Sequence, residues 1–262
     1  MPHPYLALEH PLRLAHRGSR LLWPENTAYA FQRAIDLGYR YIETDVQLTR
    51  DDVVVVLHDH TLDRTTNAIG PVRDWLWEDL HHLDAAWRFG ESEGFPLRGT
   101  GIGISRLEDV LSTWPGVHFN VDLKAPGLEW PVAEVLARTK RADGVLVAAF
   151  SDRRLARFRR ITRGMVATSA GPVAAIRAWV ASRSGRVVRS PPVAYQVPFD
   201  NRGMRLDRRF VDAAHRADAQ VHAWVVDDAA DMTRLLDMGV DGIVTDRPDV
   251  LNAVVATRAS GD

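Results

Sequence analysis

The chain has 262 residues, of which 46% are hydrophobic, and its 33 Lys and Arg nearly balance 34 Asp and Glu, giving a formal net charge of −1. A chain of this length and composition can bury a sizeable core in one large α/β domain or two small ones. The even charge balance argues against a strongly basic nucleic-acid-binding protein. There is no cysteine, which excludes a disulfide framework and a thiolate metal site.

The hydrophobic residues form no run long enough to cross a bilayer. Residues 1–11 lack the basic region and long apolar stretch that mark a signal peptide. We therefore expect a cytoplasmic protein that does not insert stably into a membrane. The sequence leaves its oligomeric state open.

Short β-like runs alternate with helical patterns along the chain, which predicts parallel βα units. The predicted strands are residues 12–16, 40–47, 118–124, 145–150, 165–169, 194–198, 221–226 and 242–245. The predicted helices are residues 27–37, 106–112, 129–139, 152–161, 172–182, 207–215, 229–238 and 248–257. Eight such strands predict an α/β fold of the (β/α)8 TIM-barrel type. The alternative, an open doubly wound sheet, would usually carry a glycine-rich phosphate loop after its first strand, and Gly18 alone does not supply one.

Two segments depart from this alternation. Residues 53–57 follow a turn-like stretch, and we expect them to form a hairpin with the second strand rather than a barrel strand. The long segment 60–105 shows no clear βα order. We expect it to be a small inserted subdomain that covers the barrel mouth, within a single domain spanning residues 1–262.

Carboxylates stand on two neighbouring predicted strands. Glu43 and Asp45 are two residues apart, so they point to the same face of a strand, and buried together they would repel each other unless a cation held them. Asp122 on the next strand would supply a third oxygen ligand, and Lys124 a fixed positive charge. Such a site selects one divalent cation, Mg²⁺ or Ca²⁺. The alternative is an acidic pair on the solvent face of an edge strand, which the nearby histidines and Lys124 disfavour.

Two histidines lie at the ends of β-like runs beside these carboxylates. His16 ends the first strand and His58 ends the hairpin. Imidazoles exchange protons near neutral pH, so the two are the predicted acid–base pair, although a lone histidine at a strand end is more often structural. Arg17 and Lys124 would supply positive charge for an anionic phosphoryl centre. A surface ion pair remains the alternative for Arg17.

Several short motifs run along nearly the whole chain. They are His16-Arg17-Gly18, Pro24-Glu25-Asn26-Thr27, Glu43-Thr44-Asp45-Val46, His58-Asp59, Arg64-Thr65-Thr66, Leu107-Glu108-Asp109-Val110-Leu111, Asp122-Leu123-Lys124, Trp224 and the stretch 239–248. Any one of them is weak, but in this order the set resembles the glycerophosphodiester phosphodiesterase family. Within it, we expect Asn26 and Thr27 to cap the first helix and tie down the His16 loop.

The resemblance implies a (β/α)8 barrel that hydrolyses small glycerophosphodiesters, such as glycerophosphocholine or glycerophosphoethanolamine, to glycerol 3-phosphate and an alcohol. The family mechanism is usually drawn as attack by the glycerol 2-hydroxyl, giving a cyclic phosphate that water then opens. No nucleic-acid partner is implied.

The resemblance also implies roles for individual residues. It implies a divalent cation bound by Glu43, Asp45 and Asp122, catalysis by His16 and His58, and substrate contacts from Arg17, Lys124, Gln196 and Trp224. It does not say which histidine is the base. Asp122 stands where the family usually has Glu, so its shorter side chain could weaken or shift the metal.

Two other functions remain open. A phosphodiesterase of the lysophospholipase D or sphingomyelinase D type would share the histidines and carboxylates. The aromatic side chains of Trp75, Trp77, Trp87 and Phe89 could then floor a lipid-tail groove, although they are more typical of a core within the insertion. The other function is a non-catalytic phosphodiester-binding barrel, which the intact histidines and carboxylates disfavour.

Overall fold

The computed structural model describes residues 3–188, 192–200 and 206–260. The strands in this part of the chain are β1 (Leu12–His16), β2 (Tyr41–Leu48), β3 (Val54–Val56), β4 (His118–Leu123), β5 (Val145–Ala148), β6 (Ala167–Thr168), β7 (Ala194–Pro198), β8 (Gln220–Trp224) and β9 (Gly242–Thr245). The helices are α1 (Ala28–Asp36), α2 (Trp77–Leu80), α3 (Leu107–Thr113), α4 (Glu129–Thr139), α5 (Asp152–Ile161), α6 (Pro172–Arg183), α7 (Arg208–His215), α8 (Ala229–Asp237) and α9 (Pro248–Ala259).

Eight parallel strands form a nearly closed barrel with the helices between them. Their hydrogen-bonded order is β6-β5-β4-β2-β1-β9-β8-β7. A bridge between Ser169 and Ala194 joins the two end strands, and the Ala170 N–H donates to the Ala194 carbonyl over 2.9 Å. The predicted (β/α)8 barrel is confirmed. The predicted strand 165–169 is too long, because only Ala167 and Thr168 pair with β5 as a ladder.

Side chains at the starts of several helices explain why the predicted helices begin where they do. Thr27, Ser151, Asp207 and Asp228 each accept a hydrogen bond from a backbone N–H in the first turn of α1, α5, α7 and α8, respectively. These caps satisfy donors that have no partner within the helix. At these four helices the polar residue before the apolar run therefore signals the helix start.

The strand β3 lies outside the barrel, as predicted. It pairs antiparallel with the end of β2, with Val46 opposite Val56. The Leu57 N–H donates to the Asp45 carbonyl over 3.0 Å. This hairpin brings the segment after β3, and with it His58, back to the mouth of the barrel.

The long segment after the hairpin has its own apolar cluster. Val55 of β3 packs there with Leu62, Val72 and Leu80, and the partly buried Trp75 and Trp77 lie against it. These indole rings therefore help to pack the segment onto the hairpin. Its definition as an inserted subdomain over residues 60–105 stays a prediction.

The barrel interior changes character along its axis. Near the amino ends of the strands, Leu14, Tyr41 and Val244 pack with Tyr5, which lies beneath them in the chain's first turn. On β2 the residues that follow Tyr41 at spacing two are Glu43 and Asp45, both buried. The apolar layer thus supports a charged layer at the mouth. No helix in the described ranges is long and apolar enough to cross a bilayer.

Candidate active site

A cavity of about 780 Å³ lies at the carboxyl ends of the barrel strands. All of the site residues predicted from the sequence line it, namely His16, Arg17, Glu43, Asp45, His58, Asp122, Lys124, Gln196 and Trp224. The fold therefore brings together side chains that are up to 208 positions apart between His16 and Trp224. A cavity of this size suits a small-molecule ligand.

The carboxylates lie side by side on adjacent strands. β2 pairs with β1 on one side and with β4 on the other, so Glu43 and Asp45 are not on an edge strand. In the β2–β4 register, Asp45 is opposite Asp122 and Glu43 is opposite Asn120, and all four residues are buried. The solvent-face alternative for the acidic pair is wrong, because both sides of β2 are occupied.

Two cations approach these three carboxylates. The Lys124 Nζ lies 2.9 Å from Asp45 Oδ1 and 2.6 Å from Asp122 Oδ2. The Arg17 Nε lies 3.1 Å from Asp45 Oδ2, and the Arg17 backbone N–H donates to Glu43 Oε2 over 3.1 Å. Asp45 therefore receives both cationic side chains, whereas Glu43 receives only a backbone donor from Arg17.

The pKa shifts follow this uneven pairing. Burial raises the pKa of Glu43, and repulsion from Asp45 raises it further. Burial also raises the pKa of Asp122, although Lys124 opposes the shift. At Asp45 burial acts in the same direction, but Lys124 and Arg17 outweigh it and the pKa is lowered. The cluster is therefore short of positive charge, since burial penalises a carboxylate that has no counter-charge.

Several buried oxygens in the cluster fit a hard cation. Asn120 Oδ1 and Asp122 Oδ1 have no hydrogen-bond partner, and Asp45 Oδ1 has only its ion pair with Lys124. Within the described ranges, no three His, Cys, Asp or Glu side chains are grouped as a metal site as they stand. Because Lys124 holds oxygens of Asp45 and Asp122, a cation would compete with its ammonium group for them. The oxygen donors and the charge deficit together fit one divalent cation.

The ring of His16 is held from behind. Its Nδ1 lies 2.8 Å from Asp246 Oδ1, and its Nε2 lies 3.8 Å from Glu43 Oε2. Asp246 is buried and also accepts a 2.6 Å hydrogen bond from Arg20 Nε. Burial alone would lower the pKa of His16, but Asp246 and Glu43 outweigh it and the pKa is raised. The contact between His16 and Asp246 therefore fixes the ring with Nε2 directed toward the carboxylates.

The loop after His16 needs an unusual backbone. Gly18 has a φ of 77°, and a Cβ there would lie 2.8 Å from the Cβ of Ala30, so any larger residue would clash with α1. The Asn26 N–H donates to the Arg17 carbonyl over 2.9 Å and ties the loop down. The prediction that Asn26 caps α1 is wrong. Its side-chain amide instead donates to Asp45 Oδ2 over 2.9 Å, while Thr27 makes the cap.

His58 belongs to a chain of charged side chains. Its Nδ1 lies 2.5 Å from Asp59 Oδ1, and Arg64 Nε donates to Asp59 Oδ2 over 2.7 Å. Arg64 also makes two hydrogen bonds to the Glu25 carboxylate, of 2.7 and 2.8 Å. Glu25 in turn accepts a 2.9 Å bond from Arg17 Nη1. This chain connects His58 with Arg17 and hence with the carboxylate cluster.

The other half of the cavity wall is largely apolar. The rings of Phe150 and Trp224 meet edge to face, with centroids 5.7 Å apart. Ile176 and Val180 of α6 line the same side. Gln196 also lines the cavity, and its Nε2 lies 3.4 Å from His222 Nδ1. Trp75, Trp77, Trp87 and Phe89, which could have floored a lipid groove, are not among the lining residues.

The sequence assigns no individual role to several residues that shape the site. Asp246 lies within the motif 239–248 and directly follows β9, where barrel enzymes place functional residues, and this position could have indicated its contact with His16. Glu25, Asp59 and Arg64 likewise belong to the family motifs without a role of their own. Arg20, which also lines the cavity, carried no signal that sets it apart from other surface arginines.

Residues 16–250 match the model of the glycerophosphoryl diester phosphodiesterase family. The chain belongs to this family. The match covers both histidines and all three carboxylates, and places the chain among the phosphoric diester hydrolases. Among curated relatives of this family, the "Probable glycerophosphodiester phosphodiesterase 2" of Mycobacterium tuberculosis is 37% identical, covering 96% of this chain and 93% of its own length. The glycerophosphodiester phosphodiesterase of Caldanaerobacter subterraneus is 30% identical, covering 92% and 96%, respectively.

Solved structures of the glycerophosphodiester phosphodiesterase family share the fold. The enzyme from Agrobacterium tumefaciens is 26% identical and superposes with a TM-score of 0.74, covering 93% of this chain and 98% of its own. A domain from Mycobacterium tuberculosis gives a TM-score of 0.81 at 22% identity, covering 95% and 100%. A phosphodiesterase from Oleispira antarctica, solved with the product sn-glycerol-3-phosphate, gives 0.75 at 21% identity, covering 94% and 97%.

Proposed function

We propose that the chain hydrolyses glycerophosphodiesters to glycerol 3-phosphate and an alcohol. The observation that carries the proposal is the position of His16 and His58, each backed by a carboxylate, at the rim of one cluster of buried carboxylates. Positive charge at His16 lowers the pKa of Glu43, and positive charge at His58 lowers the pKa values of Asp45 and Asp122, so both rings lie within electrostatic reach of the cluster. The names of the relatives and the product bound to the Oleispira antarctica protein agree with this substrate class.

In this proposal Glu43, Asp45 and Asp122 hold one divalent cation, Mg²⁺ or Ca²⁺. When bound, the cation would supply positive charge to the phosphodiester oxygens. The buried Asp122 Oδ1, which has no hydrogen-bond partner, and the raised pKa of Glu43 support this assignment. Lys124 and Arg17 are the side chains that would contact the remaining phosphate oxygens.

The two histidines divide the proton transfers. With Nδ1 of His16 bonded to Asp246, its Nε2 is free to exchange a proton at the cavity side. His58 is held in the same manner by Asp59. In the first step one imidazole accepts the proton of the glycerol 2-hydroxyl as its oxygen bonds to phosphorus, and the other donates a proton to the oxygen of the departing alcohol. In the second step the roles reverse: a water oxygen bonds to phosphorus as its proton is accepted, and the 2-oxygen leaves phosphorus with a proton, which gives glycerol 3-phosphate. Because each ring is bonded to a carboxylate of its own, either histidine can act as the acid or as the base.

Product analysis tests this function. The purified chain is incubated with glycerophosphocholine, and glycerol 3-phosphate and choline are measured in EDTA, Mg²⁺ and Ca²⁺. We expect both products in equal amounts with a divalent cation and none in EDTA. The proposal would be overturned if phosphocholine were released instead, or if neither cation supported the release of any product.

The apolar half of the cavity favours a second candidate substrate, a lysophospholipid. Phe150, Ile176 and Val180 line it but offer no hydrogen bonds to a small polar head group. A single acyl chain could lie against them while the phosphodiester reaches the carboxylates. Parallel assays with lysophosphatidylcholine and glycerophosphocholine separate the two candidates, because a higher kcat/KM identifies the preferred substrate.

A further inference from the structure

Positive charge is concentrated in one segment of the chain. Residues 145–188, which run from the start of β5 to just past α6, contain nine arginines, one aspartate and no lysine or glutamate. The whole chain carries a formal charge of −1, so the rest of the molecule is acidic. The β5–α6 side of the barrel therefore differs from the remainder in the sign of its charge.

Most of this charge is exposed and unpaired. Six of the arginines are exposed and form no ion pair within the described ranges, namely Arg153, Arg157, Arg160, Arg163, Arg177 and Arg186. Of the nine, Arg183 does pair with a carboxylate, that of Asp207. The single acid, Asp152, accepts hydrogen bonds from the Val173 and Ala174 N–H groups at the start of α6. The segment's positive charge thus faces solvent.

The same segment exposes apolar side chains. It supplies six of the ten large hydrophobic residues that are exposed in the described part of the chain, namely Phe150, Met165, Val173, Ile176, Val180 and Val188. Val173, Ile176 and Val180 recur at helical spacing along one exposed face of α6, each more than half exposed. Trp130, 57% exposed, adds an indole on the neighbouring side, in the first turn of α4. Such a patch marks a contact surface.

The patch adjoins the mouth of the catalytic cavity. Phe150, Ile176 and Val180 are exposed and also line the cavity. Trp130, Arg153 and Val173 belong to the first turns of α4, α5 and α6. In a parallel barrel these turns follow the carboxyl ends of the strands, where the cavity opens. Apolar and basic groups therefore share one edge of the opening.

We propose that a docking face at this edge of the opening binds an anionic lipid surface. It consists of Trp130, Phe150, Val173, Ile176 and Val180 together with the exposed arginines of the first two turns of α5 and α6, Arg153, Arg157 and Arg177. Arginines near such a surface are attracted to its charge, while exposed indole and aliphatic groups enter the headgroup region. A nucleic acid would leave the apolar side chains without a partner. A second copy packed face to face would bring like charges together. Docking would set the cavity mouth against the lipid, a property separate from the proposed hydrolysis.

Vesicle flotation tests the proposal on the intact chain without reference to turnover. The probes are vesicles of phosphatidylcholine alone and of phosphatidylcholine with phosphatidylglycerol in equal parts. We expect binding to the anionic vesicles, at least tenfold weaker binding to neutral vesicles, and loss of binding as salt rises. Equal binding to both vesicle types, or no binding to the anionic ones at low salt, overturns the proposal.

Paired variants locate the surface. Arg153→Gln/Arg177→Gln removes two charges from the docking face, and we expect about 30-fold weaker binding to anionic vesicles. The control, Arg40→Gln/Arg216→Gln, removes two exposed arginines from other parts of the surface and should bind as the wild type does. An equal loss in both double variants overturns the assignment to this face.

A second set of variants tests the apolar side chains of the docking face. Trp130→Ser/Val173→Ser should weaken binding to anionic vesicles, whereas Leu37→Ser/Ile69→Ser, at exposed apolar sites elsewhere, should not. Light scattering on the same proteins distinguishes a second copy from a lipid surface. A wild-type dimer that dissociates in the Trp130→Ser/Val173→Ser variant contradicts the lipid assignment.

Discussion

The Nδ1 of His16 and the Oδ1 of Asp246 lie 2.8 Å apart, although 230 positions separate the two residues along the chain. The parallel pairing of β1 with β9 brings them together, because Ala15 is opposite Thr245. The first and last strands of the barrel pair here, and the hydrogen bond forms where both strands end. The pairing of these two strands therefore also orients the imidazole.

Asp246→Asn tests the contribution of this contact. The variant loses the charge that favours protonated His16, so the pKa of His16 should fall and the corresponding limb of the pH–rate profile should move to lower pH. We expect kcat to fall roughly 10- to 100-fold, as for other partners that orient a functional imidazole. The matched control is Asp241→Asn, which removes the carboxylate 2.8 Å from His215 outside the cavity. Equal losses in both variants would show that Asp246 has only a structural role.

Arg64→Met tests the ion-pair chain between His58 and Arg17. The variant cuts the chain at the residue that binds both Asp59 and Glu25. We expect kcat to fall about tenfold while Tm stays close to that of the wild type, because side chains that orient a functional group act mainly on turnover. The control is Arg73→Met, which removes another arginine of the same segment, paired with Asp52. Unchanged kcat in Arg64→Met would contradict the positioning role.

Removal of divalent cations should lower stability. A cation that binds only the folded chain at about 100 times its Kd stabilises it by about 2.7 kcal/mol, which corresponds to a rise in Tm of roughly 5–10 °C for a chain of this size. Thermal unfolding in EDTA and in excess Mg²⁺ or Ca²⁺ measures this shift. It should vanish in Asp122→Asn and persist in Glu78→Gln, a change at an exposed carboxylate. A shift of equal size in Asp122→Asn would rule out this residue as a ligand.

Glu43 should make the metal-free chain less stable as pH rises. Burial and Asp45 raise its pKa, so the folded chain keeps a proton that the unfolded chain has already lost. Stability from this group is present at low pH and is lost between about pH 5 and pH 8. Glu43→Gln has no proton to lose, so in EDTA the Tm of the wild type should fall relative to that of the variant over this window. Parallel Tm curves for the two proteins would contradict the assigned shift.

Much of the fold could be predicted from the sequence because local signals agreed with the global pattern. Caps such as Thr27 and Ser151 mark helix starts, and apolar runs mark strands. The prediction of strand bounds is least accurate at β6, because only two of its residues form a ladder and their neighbours are held by single backbone bonds. Such a strand has too few residues to show a periodicity of its own.

Nine residues that line the candidate site could be named from the sequence, but the pairings among the site's side chains could not. Spacing places Glu43 and Asp45 on one face, and their positions at strand ends single out His16 and His58, whose roles the family resemblance implies. The partners of these groups come from distant segments, as Asp246 does for His16. Asn26 shows the limit clearly, since its type and position predict a helix cap, whereas the folded chain uses its amide to hold Asp45. Only the closed barrel brings such side chains within reach.

The most direct test of the acid–base pair is the release of glycerol 3-phosphate from glycerophosphocholine by His16→Ala and His58→Ala, with a divalent cation present. His81→Ala is the matched control, because His81 is exposed and does not line the cavity. Circular dichroism and Tm establish that all three variants are folded. We expect both site variants to lose at least 100-fold in kcat while His81→Ala keeps wild-type turnover. Wild-type turnover by either His16→Ala or His58→Ala would contradict the account.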